Sequence, residues 1–207
     1  PQLARALGLD PKRHVSAGLI TCDQDDSLYA ALDHATKYAD VDVVYAKSFY
    51  AGSAHASGPL SGEIMGILAG PNPSEVAEGL WALREALTSK IHFVAFEGTS
   101  GPAFFPHVIA ETGRYLAPLA NIKVGQPMAY LIAPPQEALI GIDAALKAAN
   151  VTLQKFFGPP TETNFAGAYL TGSLADVEAA ARAFTDAVES VVSSPLGGLV
   201  RPERERR

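Results

Sequence analysis

An internal repeat is the feature of this sequence that most constrains its fold. The nine residues Asp33–Val41 align with the nine residues Asp143–Val151 at a constant offset of 110 positions. Further along the chain, Leu68–Gly70 aligns with Leu170–Gly172, where an apolar segment ends in Gly before a helical pattern begins. Because charged positions agree in order as well as apolar ones, we interpret the sequence as two copies of one module.

The two copies define the predicted domain organisation. We expect a first domain over residues 1–90, a second over residues 91–199 and a charged, disordered tail over residues 200–207. Each copy reads as strand, helix, strand, loop, strand and helix, which is an α/β (α+β) pattern. Segments rich in β-branched residues, such as Val41–Tyr45, predict the strands, and apolar residues at helical spacing predict the helices.

Helix starts are predicted from capping residues. In the first copy, Asn72 is the expected N-cap of a helix, with Pro73 at its first position and Glu75 at its third. Ser173 and Asp176 repeat this combination in the second copy. Each copy is therefore predicted to end in a helix that carries an apolar stripe facing the core.

The two copies differ where they begin. The second is predicted to open with a strand over Ile91–Phe96 and a helix over about Phe104–Leu116, whereas the first opens at a helix over Gln2–Leu7. The predicted strand over 91–96 has no counterpart before Pro1. We therefore expect either that the first module lacks an edge strand or that the true N-terminus lies further upstream.

Composition and charge exclude several classes of function. Of the 207 residues, 48% are hydrophobic and 18% are charged, which suffices for a core and excludes a disordered chain. With 16 Lys and Arg against 22 Asp and Glu, the net charge of −6 argues against nucleic-acid partners and an anionic membrane surface. No apolar run reaches the ~20 residues of a membrane span, and the single Cys excludes a disulfide framework. We expect a soluble, cytoplasmic globular protein.

Signals of catalysis are weak throughout the sequence. There is no Gly-rich phosphate loop, GxSxG or HExxH motif, and the five His residues show no metal-binding spacing. Ser53 and His55 share a loop, but no third group orients the His. Cys22 next to Asp23 is better explained as a small buried side chain than as a nucleophile. We therefore expect no enzyme activity, no catalytic residue, no metal and no cofactor.

A group of acidic residues allows two interpretations. Asp23, Asp25 and Asp26 resemble the start of a calcium loop, but the Gly and the terminal Glu of an EF-hand are absent. They can cap the following helix and stabilise its N-terminus. Alternatively, Asp25 and Glu63 could line one crevice, where two carboxylates would suit an ammonium group. Taken alone, the residues favour capping over binding.

Several long motifs carry a resemblance to a known family. They are Val43–Tyr45, Ser48–Gly52, Gly70–Pro73, Met128–Pro135, Gly141–Lys147, Pro159–Asn164 and Leu170–Ser173. Together they resemble the EutL family, the tandem-domain shell proteins of ethanolamine-utilization bacterial microcompartments. The similarity extends over about residues 1–198. Family members usually begin with an additional strand, which is missing from the start of this sequence.

This resemblance implies both a fold and an assembly. Each copy would be a circularly permuted microcompartment shell domain, a small and mostly antiparallel sheet flanked by helices. Three chains would form a flat, pseudo-hexameric homotrimer that tiles with neighbouring shell proteins in the shell of the microcompartment. A central pore would open and close by loop movement. Smaller pores within each subunit would bind a small molecule, with ethanolamine as the expected ligand.

The resemblance also assigns residues to these two kinds of pore. The ligand-binding positions of the small pore are Asp25, Glu63 and Phe93. The gate of the central pore falls on Phe49, Tyr50, Ala51 and Gly52.

Two other functions are weighed against the shell protein. A soluble, amine-binding regulatory trimer of the same fold would bind its ligand without forming sheets. Tiles need Lys or Arg at their rims, and Lys37 and Lys147 are candidates, although solvated helix lysines are the default interpretation. An enzyme is disfavoured because no nucleophile, base and orienting group occur together.

Overall fold

The computed structural model describes residues 2–48, 64–96, 103–159, 161 and 164–195. The helices formed by these residues are α1 (Gln2–Ala6), α2 (Asp25–Tyr38), α3 (Pro73–Ser89), α4 (Leu116–Leu119), α5 (Pro135–Ala148) and α6 (Leu174–Ser193). The strands are β1 (Ser16–Cys22), β2 (Asp42–Ser48), β3 (Ile64–Gly70), β4 (Val94–Ala95), β5 (Ala103–Ile109), β6 (Met128–Ala133), β7 (Thr152–Phe157) and β8 (Ala166–Thr171).

The strands form two antiparallel sheets, each packed against a pair of helices. The first sheet has the strand order β1-β3-β2 and packs against α2 and α3. The second has the order β4-β5-β6-β8-β7 and packs against α5 and α6. We call the elements from β1 to α3 the first unit and those from β4 to α6 the second unit. This arrangement confirms the predicted α/β class, while the domain boundaries stay predictions.

The two units repeat the same order of elements. β1, α2, β2, β3 and α3 of the first unit correspond to β6, α5, β7, β8 and α6 of the second. The edge strands share an irregularity as well. Strand pairing shifts between Val43 and Tyr45 and, 110 residues later, between Leu153 and Lys155. A bulge at equivalent positions bends both edge strands in the same place.

Two equivalent Gly residues show how closely the backbones approach in both units. A Cβ at Gly70 would lie 2.8 Å from the carbonyl oxygen of Asp40, and a Cβ at Gly172 would lie 2.9 Å from that of Asn150. These contacts are too short for a carbon side chain. Both units therefore require Gly where the central strand passes into the last helix.

The predicted helix caps are confirmed in both units. The Asn72 side chain accepts the N–H of Glu75 at 2.9 Å, and the Ser173 hydroxyl accepts the N–H of Asp176 at 3.2 Å. The carboxylates of Glu75 and Asp176 accept backbone N–H groups from the turns that lead into β2 and β7. Each cap thus fastens the start of the last helix to the neighbouring edge strand.

The predicted capping role of Asp25 and Asp26 is wrong. Helix α2 begins at Asp25, and its N-cap is Gln24, whose side chain makes no capping hydrogen bond. Asp25 and Asp26 lie within the first turn, where the Asp25 carboxylate accepts the N–H of Asp26 at 2.9 Å. Their charges still lie at the end of the helix that favours anions.

The predicted helix over Phe104–Leu116 is also wrong. Ala103–Ile109 is strand β5, which pairs with β6, and only the short helix α4 follows it. Phe104 and Phe105 are both fully buried, but in two different clusters of apolar side chains. Consecutive side chains on a strand point to opposite faces, which places the two rings in separate clusters. The predicted strand over Ile91–Phe96 is reduced to the two residues of β4.

One apolar cluster connects the two units. It includes Leu28 and Leu32 of α2 together with Phe105 of β5 and Met128 of β6. A second cluster, which surrounds Phe184 of α6, lies within the second unit. Because the first cluster draws side chains from both units, their contact is a packed interface.

Candidate functional site

A hydrogen-bonded junction joins α2 of the first unit to the segment that precedes α4. The carboxylate of Asp33, which is 0% exposed, accepts the N–H groups of Gly113, Tyr115 and Leu116 at 2.6, 3.1 and 2.7 Å. Burial raises the pKa of Asp33, and these N–H groups act in the opposite direction. A Cβ at Gly113 would clash with the carbonyl oxygen of Asp33, so that only Gly fits here.

Three other side chains complete this junction. The Thr36 hydroxyl accepts the N–H of Arg114 at 2.9 Å. The Arg114 guanidinium donates to two carbonyl oxygens between α2 and β2, at 3.2 and 2.9 Å. The Lys37 ammonium donates to the carbonyl oxygen of Glu111 at 2.8 Å. Backbone groups of each unit are thereby satisfied by side chains of the other.

A cavity of about 350 Å³ lies between the two units. Helix α2 contributes two carboxylates and a tyrosine, and the second unit contributes aromatic rings and a lysine. The charged and aromatic side chains that line it are Asp25, Asp26, Tyr29, Tyr115, Tyr130, Lys155, Phe157 and Tyr169. We call this space the Asp25 cavity.

Two buried carboxylates stand at one side of the Asp25 cavity. Asp25 is 8% exposed and Asp26 is 7% exposed. Burial raises the pKa of Asp25, while the backbone N–H of Asp26 acts in the opposite direction. The Tyr130 hydroxyl donates to the Asp26 carboxylate. Carboxylates withdrawn from water in this way are stabilised by a cation that enters the cavity.

Aromatic rings form the facing side of the cavity. Tyr169 contacts Tyr130 and Phe157 edge to face, with ring centroids 4.6 and 4.8 Å apart. The Lys155 ammonium lies over the ring of Phe157, 5.0 Å from its centroid. Burial raises the pKa of Tyr130 and Tyr169 far above their usual range, and that of Tyr115 to about 12. The phenols therefore stay neutral, and the Phe157 face already holds an ammonium group.

The structure places only part of the predicted ligand site in this cavity. Asp25 lines it. Phe93 stacks on Phe105 with ring centroids 5.1 Å apart, and Phe105 contacts Tyr130 edge to face at 5.4 Å. Phe93 does not line the cavity, because the ring of Phe105 lies between it and Tyr130. Glu63 lies outside the described residues, as do the four predicted gate residues Phe49, Tyr50, Ala51 and Gly52.

The sequence did not reveal the aromatic side of the cavity. Tyr130 and Tyr169 stand directly opposite each other in β6 and β8, two otherwise apolar strands. A tyrosine in a buried strand needs a hydrogen-bond partner for its hydroxyl. This requirement is the feature of the sequence from which the aromatic side of the cavity could have been predicted. It would have pointed to a polar group between the units, which Asp26 supplies.

Two further searches concern only the part of the chain that the structure describes. None of its helices has the length and apolar character needed to cross a lipid bilayer. Its His, Cys, Asp and Glu side chains form no group of three or more that could hold a metal ion.

Similarity to known proteins extends along nearly the whole chain. The BMC domain family matches residues 16–99. The chain is 52% identical over 197 residues to the bacterial microcompartment shell protein EutL of Clostridium perfringens (strain 13 / Type A), covering 95% of this chain and 90% of the relative. The chain belongs to the EutL family of bacterial microcompartment shell proteins.

Other EutL proteins agree with this membership. The EutL of Salmonella typhimurium is 49% identical over 194 residues, covering 93% of this chain and 88% of the relative. The monoclinic crystal structure of EutL from C. perfringens matches the fold with a TM-score of 0.91 at 52% identity, over 96% of this chain and 90% of the other. EutL from Leptotrichia buccalis matches with a TM-score of 0.90 at 48% identity, over 95% and 90%. The resemblance seen in the sequence motifs is confirmed.

Proposed function

We propose that three copies of this chain form a pseudo-hexameric tile of the microcompartment shell, and that the Asp25 cavity is a small pore that binds an ammonium compound. Ethanolamine is the expected ligand, and the role is structural and transport-related rather than enzymatic. The family membership supports the shell role. The junction between the units supports the trimer, and the composition of the cavity supports the class of ligand.

The trimer is supported by a contrast between two equivalent helices. The polar junction residues of α2 contact the second unit, whereas their equivalents on α5 are exposed. Asp33 and Lys37 are engaged across the junction. Their repeat equivalents Asp143 and Lys147 pair with each other at 2.6 Å, and their side chains are 62% and 74% exposed. The same Asp and Lys are thus present on α5, but within the described part of the chain the first unit does not pack against them.

The apolar surface around these anchors repeats the contrast. Ala30 and Thr36 of α2 are buried, whereas their equivalents on α5, Ile140 and Leu146, are 49% and 37% exposed. At the other end of the chain, none of the residues of α1 is buried. Helix α1 precedes β1 as α4 precedes β6, which makes it the candidate to meet α5 of a neighbouring copy.

A junction that recurs between chains generates a head-to-tail assembly. Such contacts produce a closed ring when the rotation between neighbours closes, and an open filament when it does not. With two units in each chain, three chains provide the six units of a pseudo-hexamer. The proposal therefore predicts a mass of 65.1 kDa, three times the chain mass of 21.7 kDa.

The Asp25 cavity fits an organic ammonium ion. Two buried carboxylates supply negative charge, and the tyrosine rings of the lining can add cation–π contacts, whereas the Phe157 face is occupied by Lys155. Ile64, which follows Glu63 in the chain, pairs with Cys22, three residues before Asp25. This register supports Glu63 as a third carboxylate near the cavity, and Phe93 backs the aromatic wall. Phe49 to Gly52 follow the last residue of β2 and are proposed as the gate of the central pore.

The assembly is tested by native mass spectrometry and negative-stain microscopy of the same sample. A trimer that forms hexagonal sheets is the expected result. Asp143→Ala should lower the trimer fraction, while Glu189→Ala, which removes an exposed carboxylate from α6, should leave it unchanged. A trimer without sheets would favour the alternative, a soluble amine-binding regulator. A monomer at every concentration would refute the assembly.

Ligand binding is tested by calorimetry with ethanolamine on the full chain. Asp25→Asn and Glu63→Gln should each weaken binding by roughly tenfold or more, since each removes a charge-assisted contact. Asp23→Asn is the matched control, because Asp23 is exposed and does not line the cavity. 1-Propanol, which lacks the ammonium group, should not bind. Equal affinity in all three variants would eliminate the site.

A further inference from the structure

A second cavity, of about 430 Å³, lies at the same junction and has the opposite chemical character. Of the polar side chains that line it, helix α2 contributes three, the end of α3 contributes one, and β5 with the following residues contributes two. They are His34, Lys37, Tyr38, Lys90, His107 and Glu111. We call this space the His107 cavity.

Basic groups dominate the surroundings of His107. Burial lowers the pKa of His107, and Lys37, Lys90, His92 and His34 act in the same direction, which together brings it to about 4. Burial likewise lowers the pKa of His34 to about 4, with smaller effects of Lys90 and Lys37 in the same direction. Two imidazoles are thus held neutral beside two ammonium groups, an arrangement that a negative charge would stabilise.

In the described part of the chain, the carboxylates that act on the Lys37 ammonium are those of Asp33 and Glu111. The pKa of Lys37 is lowered by burial and by Lys90, and it is raised by Asp33 and Glu111. Asp33 is committed to three N–H groups of the junction. Glu111 is exposed, and it is its carbonyl oxygen that holds the Lys37 ammonium. Among the described residues that line the cavity, two lysines thus stand beside one acidic side chain, that of Glu111.

The fold itself does not require these groups. The repeat equivalents of His34 and Tyr38 on α5 are Ala144 and Ala148. The second unit forms the same helix without either ring. The rings of His34 and Tyr38 are tilted against each other with their centroids 4.5 Å apart, and neither the His34 nor the His107 imidazole makes a hydrogen bond with another residue that the structure describes.

We propose that the His107 cavity binds a small oxyanion, a phosphate or carboxylate group held by the ammonium groups of Lys37 and Lys90 and by the imidazoles of His34 and His107. Charge-assisted hydrogen bonds from ammonium groups are strong and short. The imidazoles add N–H donors, and each can take up a proton when the anion enters. This site lies apart from the Asp25 cavity and is independent of the amine proposed there.

The direct test is NMR of the histidine side chains in the full chain. Inorganic phosphate and acetate are added in separate titrations, with sodium chloride keeping the ionic strength constant. Saturable shifts of the His34 and His107 signals, with their pKa rising above about 4, are expected, while the signals of His14, which does not line the cavity, should not move. Saturation by one anion alone identifies the class of ligand. Saturation by neither overturns the proposal.

Matched lysine variants locate the anion. Lys90→Gln should weaken binding roughly tenfold, because it removes one charged donor. Lys123→Gln removes an exposed lysine that lies outside the cavity, and it should leave the affinity unchanged. Equal affinity of both variants would contradict the proposal. Ethanolamine binding should persist in Lys90→Gln, so that failure here leaves the amine site intact.

Discussion

Replacing Asp33 and Asp143 by Ala, one at a time, removes the same carboxylate from the two copies of a repeated helix. Asp33 is fully buried and accepts three backbone N–H groups across the junction. Asp143 is exposed and pairs with Lys147 one turn away. The two variants therefore compare one chemical change in two environments within a single chain.

The expected cost of Asp33→Ala follows from its hydrogen bonds. Each bond to a charged group contributes about 1.5–3 kcal/mol net, so that three bonds set an upper bound of about 9 kcal/mol. Burial already disfavours the ionised carboxylate, as the raised pKa of Asp33 shows, and its removal offsets part of this loss. We expect a net loss of about 3–5 kcal/mol. The exposed pair of Asp143 contributes about 0.3–0.5 kcal/mol.

The assay is urea unfolding followed by far-ultraviolet circular dichroism at several protein concentrations. The loss in Asp33→Ala should be the same at every concentration, because its bonds lie within one chain. Any loss of unfolding free energy in Asp143→Ala that exceeds the contribution of the exposed Asp143–Lys147 pair should depend on protein concentration, because it arises from association between chains. An Asp33→Ala variant within about 1 kcal/mol of the unchanged protein would refute this reasoning. Equal, concentration-independent losses in both variants would refute it as well.

Three other predictions concern stability. Gly113→Ala should cost about 1–3 kcal/mol in chemical unfolding, because its Cβ meets a backbone carbonyl; an unchanged midpoint would contradict this. Tyr130→Phe should cost about 1.5–3 kcal/mol by removing the donor to Asp26, and a neutral effect would show that the bond contributes nothing. Arg13 lowers the pKa of Asp42 to about 2. The stability from this pair is therefore present above the unfolded pKa of 3.8 and lost as the pH falls towards about 2. Arg13→Gln should therefore weaken the dependence of the thermal unfolding temperature on pH between these two values.

Local signals predicted much of the fold. The caps at Asn72 and Ser173 depend on side chains that bond their own backbone neighbours, and such contacts can be inferred from sequence spacing. The repeat predicted equivalent elements in both units. The stretch after Ala103 was misassigned because its identity as a strand depends on pairing with β6 and on burial in two clusters, which no local window contains.

The candidate sites were predicted less completely, for a related reason. Asp25 was predicted from a group of acidic residues and from the family resemblance. Tyr130, Lys155 and Phe157 join it only because β6 and β7 of the second unit face α2 of the first. The His107 cavity likewise brings His34 beside a histidine on β5. Contacts between units are set by packing over long sequence separations, and a pattern read along one segment does not encode them.

Two fused copies give a protein a freedom that separate identical subunits lack. When every unit is the same polypeptide, one replacement alters all copies of a surface together. Here α2 carries His34 where α5 carries Ala144, although both helices keep the Asp and Lys of the repeat. Duplication thus allows the same position to carry different side chains in the two copies of a surface.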